Sequence, residues 1–135
     1  SRGHELGNHG YFHKDQDKLS LSANKEEIVR CHDLVKALAG VEMQLFAPPS
    51  GAYSENTVNA AEALGYKVVM WSKDTIDWRD HDQTLIYSRA TENAESGDLV
   101  LMHPTKETAA ALPSVLAYYK ENDLLQSKVS ETLAL

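Results

Sequence analysis

Gln44-Leu45-Phe46-Ala47-Pro48-Pro49-Ser50-Gly51 decides the architecture. A short apolar run ends abruptly at two prolines, a serine and a glycine, which reads as a strand stopped by a rigid turn. Ser54 is placed to cap the helix that follows, with Val58, Ala61 and Leu64 on its apolar face and Gly65 at its end. Lys67 to Trp71 then reads as a buried strand. One βαβ unit is thus legible in under thirty residues, and the remaining chain repeats the alternation.

Downstream, Ser72 to His81 is a polar loop and Gln83 to Ala94 a helix. Gly97-Asp98 turns the chain into the strand Leu99-Val100-Leu101-Met102, which His103-Pro104 breaks. Thr105 onward is helical, with a break expected near Leu112 because Pro113 disfavours a helix interior. Leu125 to Val129 reads as a last strand and Ser130 to Leu135 as a short closing helix. Upstream, Asn24 and Glu27 have capping-box spacing, and the helix they open places Ile28, Val29, Cys31, Leu34, Val35 and Leu38 on one face. Gly40 closes it, and His32 falls off the apolar face, as an exposed side chain. Short continuous apolar strands between longer helices indicate an α/β fold with parallel strands, open or rolled toward a barrel.

The 135 residues fit a single domain with a core of its own. A net charge of −7 argues against nucleic-acid backbones and anionic membrane surfaces. The single cysteine, Cys31, excludes an internal disulfide and a cysteine-rich zinc site, and its helical setting reads as a packed thiol. No apolar run approaches the roughly 18 residues of a membrane span.

The reactive residues collect at strand ends. His9 and His13 stand four apart after a first strand-like piece, with His4 just upstream. On one turn of helix such a pair lies on one face and can grip a divalent metal. Unaided, this is a weak motif, and a solvated loop explains Asp15 and Asp17 beside it. Ser50 and Gly51 follow the second strand, Asp74, Asp77 and Trp78 the third, and His103 ends the fourth. Parallel α/β architectures build their sites at that edge. A backbone N–H of the Pro-Pro-Ser-Gly turn suits a developing oxyanion, although an ordinary strand-to-helix turn has the same sequence. His103 suits a general acid oriented by Asp77, or a core histidine ending a strand. Trp78 suits an apolar wall for a small acyl group, or a plain cap on the barrel.

These residues, taken together, resemble the polysaccharide deacetylases, the NodB-homology domain of carbohydrate esterase family 4. His9-Gly10-Tyr11-Phe12-His13 is similar to that family's H-[ST]-x-x-H motif. Phe46-Ala47-Pro48-Pro49-Ser50-Gly51 is similar to its R-x-P-Y-G turn, Asp74-Thr75-Ile76-Asp77-Trp78 to D-x-x-D-W, and Leu99-Val100-Leu101-Met102-His103 to L-x-L-x-H. The resemblance spans essentially the whole chain and looks closest to cell-wall and sporulation deacetylases of Gram-positive bacteria. It implies a distorted (β/α) barrel, an extracellular or cell-wall setting, and removal of N-acetyl groups from N-acetylglucosamine polymers such as peptidoglycan or chitin. By the same resemblance His9 and His13 bind a divalent metal, zinc, with cobalt or another ion as alternatives; the Ser50 N–H helps hold the oxyanion. Asp77 tunes the general acid His103, while Trp78, Leu101 and Pro49 contact the substrate.

Three departures from the family pattern accompany it. The T-F-D-D-G motif, which supplies the catalytic base and a third metal ligand, is not found in these 135 residues. Ala47 stands where the turn arginine is usual. Gly10 replaces Ser or Thr, and Ser50 replaces Tyr. The expectation is therefore the C-terminal part of a deacetylase domain, an incomplete barrel, inactive or impaired alone, with metal between His9 and His13 weakened or absent. A second chain or swapped element would complete the barrel. The alternative is a non-catalytic glycan-binding or interaction module that keeps the fold.

Overall fold

The computed structural model describes residues 2–135. The chain divides into two compact units, Ser1–Met70 and Trp71–Leu135. Each holds a pair of parallel strands and its own helices.

In the first unit, α1 (Leu21–Ala39) leads to β1 (Leu45–Phe46), α2 (Glu55–Ala63) and β2 (Lys67–Val68). β1 and β2 pair in parallel, Leu45 beside Lys67 and Phe46 beside Val68. Asn8 adds a parallel bridge to Phe46, so the chain before the histidines lies along the same sheet. The core gathers Ile28, Met43, Phe46, Ala60, Ala61 and Tyr66, with Cys31 and Val35 packed against it. Burying Phe46 completely contributes about 2–3 kcal/mol.

Several expectations change here. α1 begins at Leu21, not Asn24: Ser20 is the cap, its hydroxyl accepting the Ala23 N–H at 3.2 Å. Ser20 competes better because Asn24 is drawn inward, donating to the Leu19 and Ser20 carbonyls. Gly40 closes the helix in the left-handed region at φ 67°, as its type allows. The buried stripe of α1 is narrower than predicted. Ile28 is enclosed and Cys31 and Val35 are half-buried, whereas Val29, Leu34 and Leu38 are exposed, Leu38 at 79%. His32 is half-buried and hydrogen-bonds the Tyr66 hydroxyl through Nδ1 at 2.6 Å. α2 keeps its expected cap, since Ser54 and Thr57 form a reciprocal capping box. Its inward face is Thr57, Ala60 and Ala61, while Leu64 is exposed. The strand after it is half-buried and short, not a buried run to Trp71.

The second unit runs β3 (Lys73–Asp74), α3 (Gln83–Thr91), β4 (Val100–Leu101), α4 (Lys106–Glu121) and α5 (Val129–Thr132). β3 pairs in parallel with β4, Lys73 beside Val100 and Asp74 beside Leu101. So the loop expected over Ser72–His81 contains a strand, whose backbone ladder outweighs its polar side chains. α3 and α4 pack together around Ile86, Ala90, Ala111 and Val115. α4 runs unbroken past Pro113, which is exposed. Burial of Thr108, Ala111 and Val115 on one face sustains the helix on both sides of the missing N–H. Leu125 to Lys128 forms no strand; Leu125 is almost fully exposed, and an apolar run without a partner edge has nothing to pair with. Among the described residues no helix is long and apolar enough to cross a membrane.

Candidate functional site

In the first unit the two histidines meet on a loop, not on a helix turn. Gly10 at φ 78° and His13 at φ 53° fold the segment back on itself, and the imidazoles lie edge to face with centroids 4.9 Å apart. Position 10 favours glycine on two counts. A Cβ there would stand 3.0 Å from Gln16 Oε1 and 3.3 Å from Pro49 Cγ, in addition to the left-handed backbone. Beneath the loop, Asn8 is buried and accepts the Gly10 N–H on Oδ1 at 3.0 Å. Its Nδ2 donates to the Ile28 carbonyl and the Tyr66 hydroxyl.

His9 Nδ1 lies 2.6 Å from the Ala47 carbonyl oxygen. An oxygen acceptor there requires a proton on Nδ1 and leaves Nε2 as the ring's lone-pair nitrogen, the way metal-binding imidazoles are commonly oriented. The donor set suits a divalent metal of the zinc type. It is partial, since among the described residues no three His, Cys, Asp or Glu side chains are grouped to share an ion.

Ala47 also leads into the Pro48-Pro49-Ser50-Gly51 turn. Pro49 opens a 3-10 turn, Gly51 and Ala52 donate back to Pro48 and Pro49, and Ser50 sits in the left-handed region at φ 57°. A non-glycine residue held there is strained, a state that surrounding structure must enforce. Pro49 is buried and Ser50 exposed.

In the second unit Asp77 is fully buried. Oδ1 lies 2.7 Å from His103 Nδ1, and Oδ2 accepts the His103 backbone N–H at 2.5 Å and the Thr108 hydroxyl at 2.7 Å. Burial pushes the carboxyl pKa up, but the bonds from the His103 backbone, the His103 ring and Thr108 outweigh it and hold the group below the usual carboxylate range. The His103 side chain is 42% exposed. With Nδ1–H given to Asp77, Nε2 is the ring nitrogen available outward.

The loop bearing Asp77 is built by its neighbours. Asp74 Oδ1 accepts the Ile76 N–H at 2.8 Å, so Asp74 caps a turn. Ile76 takes φ 52°, an uncommon value for a β-branched residue. Thr75 donates its hydroxyl to the Leu101 carbonyl, tying the loop to β4. Arg89 reaches from α3 to the Thr75 carbonyl and to Asp80, which Arg79 and Arg89 together hold at a pKa of about 2. Trp78 is 57% exposed beside the Arg79 guanidinium, and Leu101 is half-buried.

Sequence reasoning passed over Thr108 and gave Asn8 and Arg89 no role of their own. Thr108 lies in α4 with nothing but its tertiary contact to mark it. Asn8, the residue before His9, carried a signal only in its adjacency.

Comparison with known proteins follows from this geometry. The polysaccharide deacetylase family profile matches residues 1–69. A peptidoglycan-N-acetylglucosamine deacetylase of Bacillus cereus is 31% identical over 137 residues, covering 97% of this chain and 64% of the relative. A peptidoglycan-N-acetylmuramic acid deacetylase of Bacillus subtilis is 27% identical over 124 residues, 88% of this chain and 47% of that protein. The crystal structure of a CE4 family pseudoenzyme from Bacillus anthracis superposes with a TM-score of 0.92 at 30% identity, over 96% of this chain and 46% of that one. The chain spans about half the length of the curated relatives it matches, 41% and 54% in two cases.

Proposed function

This chain belongs to the polysaccharide deacetylase family, with the NodB-type α/β fold of carbohydrate esterase family 4, and from that premise we propose that it contributes the histidines and the general acid of a metal-dependent N-deacetylase. The substrate class is an N-acetylglucosamine-containing glycan of the bacterial cell wall, or a chitin-like polymer. The observation that carries this reading is Asp77, buried and bound to both ring and backbone of His103.

The roles divide residue by residue. His9 and His13 would hold the divalent metal, of which zinc is one that imidazole nitrogens suit. When bound, such an ion supplies the Lewis acidity that activates water for attack on an acetamide carbonyl. The His9 Nδ1–H bond to the Ala47 carbonyl sets the ring so that Nε2 is the ligating atom. The Ser50 N–H is the donor toward the oxygen on which negative charge develops. His103 gives its Nε2 proton to the departing amine nitrogen, while Asp77 steadies the ring through Nδ1 and stabilises its charged form. Trp78, Leu101 and Pro49 are the apolar contacts of the acetyl group and sugar.

The two histidines are an incomplete ligand set among the described residues, and we read the 135-residue chain as inactive or impaired by itself. Acetate release from an N-acetylglucosamine oligomer, measured with added Zn²⁺ or Co²⁺, tests this. No turnover above the protein-free control is expected, and robust turnover would refute it. Similarity to a pseudoenzyme at TM-score 0.92 favours a second reading, a non-catalytic glycan-binding module. Oligomer binding by the chain that His9→Ala and His103→Ala leave unchanged, without acetate release under any condition tested, would select that reading.

A further inference from the structure

Glu27 is a carboxylate only 3% exposed, in the second turn of α1. Helix capping does not account for it, because Ser20 caps α1. No ion pair accounts for it either, since among the described residues no basic group pairs with it. A buried charge without a counter-ion is costly unless polar N–H groups satisfy it. The donor Glu27 does have is the backbone N–H of Phe12, 2.9 Å from Oε1, a charge-assisted bond.

Phe12 directly precedes His13, and the same carboxylate oxygen lies 3.7 Å from the point a Gly10 Cβ would occupy. The absent side chain at Gly10 is what lets the carboxylate and the Gln16 amide come up under the loop. Gln16 cannot take the role of Glu27. Its Nε2 donates to Asn24 Oδ1, whose own Nδ2 is committed to two carbonyls, so the amide orientation is fixed. Gln16 Oε1 therefore faces the loop as an acceptor with no donor. Two alternate amides between the histidines are thus clamped from below: Gly10 N–H by Asn8 and Phe12 N–H by Glu27. With those amides held, His9 and His13 are left on the outer side of the loop, both exposed and ring against ring.

We infer that Glu27 is a positioning residue for the histidine pair: its buried carboxylate grips the Phe12 N–H and so fixes the loop that brings the imidazoles of His9 and His13 together. The inference rests on reading those histidines as metal ligands, and it adds a residue of α1 to the parts that hold the metal site in shape.

Two variants separate reach from charge. Glu27→Gln keeps a carbonyl oxygen at the same reach without the charge. Glu27→Asp keeps the charge but draws it back by one methylene. The 135-residue chain, isotope-labelled, is followed by NMR for Phe12 amide exchange, for contacts between the His9 and His13 ring protons, and for Zn²⁺ titration of those rings. In Glu27→Asp the Phe12 amide is expected to exchange about 10-fold faster, the ring contacts to be lost and Zn²⁺ affinity to fall about 10- to 100-fold. Glu27→Gln, which keeps the reach but loses the charge assistance, is expected to fall between the parent and Glu27→Asp in each, with the buried Asn8 amide reporting an intact fold in both. Ring contacts and affinity preserved in Glu27→Asp overturn the inference. Should the parent chain bind no Zn²⁺, which an incomplete ligand set permits, amide exchange and ring contacts decide for or against Glu27.

Discussion

Asp77 holds His103 at two points, with Oδ1 2.7 Å from the ring Nδ1 and Oδ2 2.5 Å from the backbone nitrogen. A side chain fixed in this way has one ring face and one nitrogen to offer. Asp77→Asn puts an amide N–H among three donors that all point at the site: the His103 N–H, the His103 ring and the Thr108 hydroxyl. The expected outcome is a switch of the His103 ring to the tautomer with Nδ1 unprotonated, seen in its ¹⁵N shifts, because Nδ1 must then accept. Unchanged Nδ1 protonation would contradict this. Asp77→Ala, which strands all three donors, is expected to cost about 3 kcal/mol of stability in a denaturant titration.

Acid should act on the same group. The folded-state pKa of Asp77 lies below its unfolded value, near 3.9 for an ordinary aspartate. The folded protein therefore binds fewer protons than the unfolded chain in that interval. The contribution of Asp77 is complete above the unfolded value and is lost as pH falls through the lowered one. Asp80, at about 2 between Arg79 and Arg89, behaves in the same sense over pH about 4 to 2. Melting temperatures measured across pH 6 to 2 should fall in the acid range, and less so in Asp80→Asn. A flat profile would contradict the assignment.

Gly10→Ala is expected to destabilise the chain by about 1–3 kcal/mol. The methyl group would meet Gln16 Oε1 at 3.0 Å and Pro49 Cγ at 3.3 Å while forcing alanine to φ 78°. Thermal or urea unfolding measures the loss. An unchanged midpoint would show that the loop relaxes freely, and the clamped geometry would be wrong.

Pro113→Ala should do the reverse. Pro113 lies on the exposed side of α4 and denies the Ala109 carbonyl its intrahelical donor. Restoring an N–H there is expected to stabilise by about 1–2 kcal/mol, part of the helix-interior penalty being offset by the looser unfolded chain. A destabilised variant would mean that the ring is packed rather than merely tolerated.

Much of this protein was legible from local chemistry. The Ser54–Thr57 cap, the αL glycine at position 40 and the Pro-Pro-Ser-Gly turn depend on neighbours in sequence, and each lies where those residues place it. The approach of Asp77 to His103 was legible too, since each follows a stretch that reads as a strand, although the strand that pairs with β4 is Lys73–Asp74, inside the expected loop. What local chemistry misjudged was settled by distant contacts. Asn24 looked like a cap until its amide turned inward to Gln16 and the preceding carbonyls. Glu27 looked like the partner of that cap, and its true partner, the Phe12 amide, is fifteen residues away. His32 looked exposed until Tyr66, from the far side of α2, supplied a hydroxyl. The histidine pair looked helical because its spacing allows one turn, yet Gly10 and His13 at positive φ bring the rings together by another route.

The most direct measurement is acetate release from an N-acetylglucosamine oligomer with Zn²⁺. It compares the chain alone with the chain joined to an aspartate-bearing segment of a peptidoglycan deacetylase relative. The account predicts no turnover from the chain alone. Joining should give acetate release that His9→Ala abolishes and His103→Ala reduces at least about 100-fold, the scale of a lost general acid. Robust turnover by the chain alone, or joined activity indifferent to His103→Ala, would contradict it.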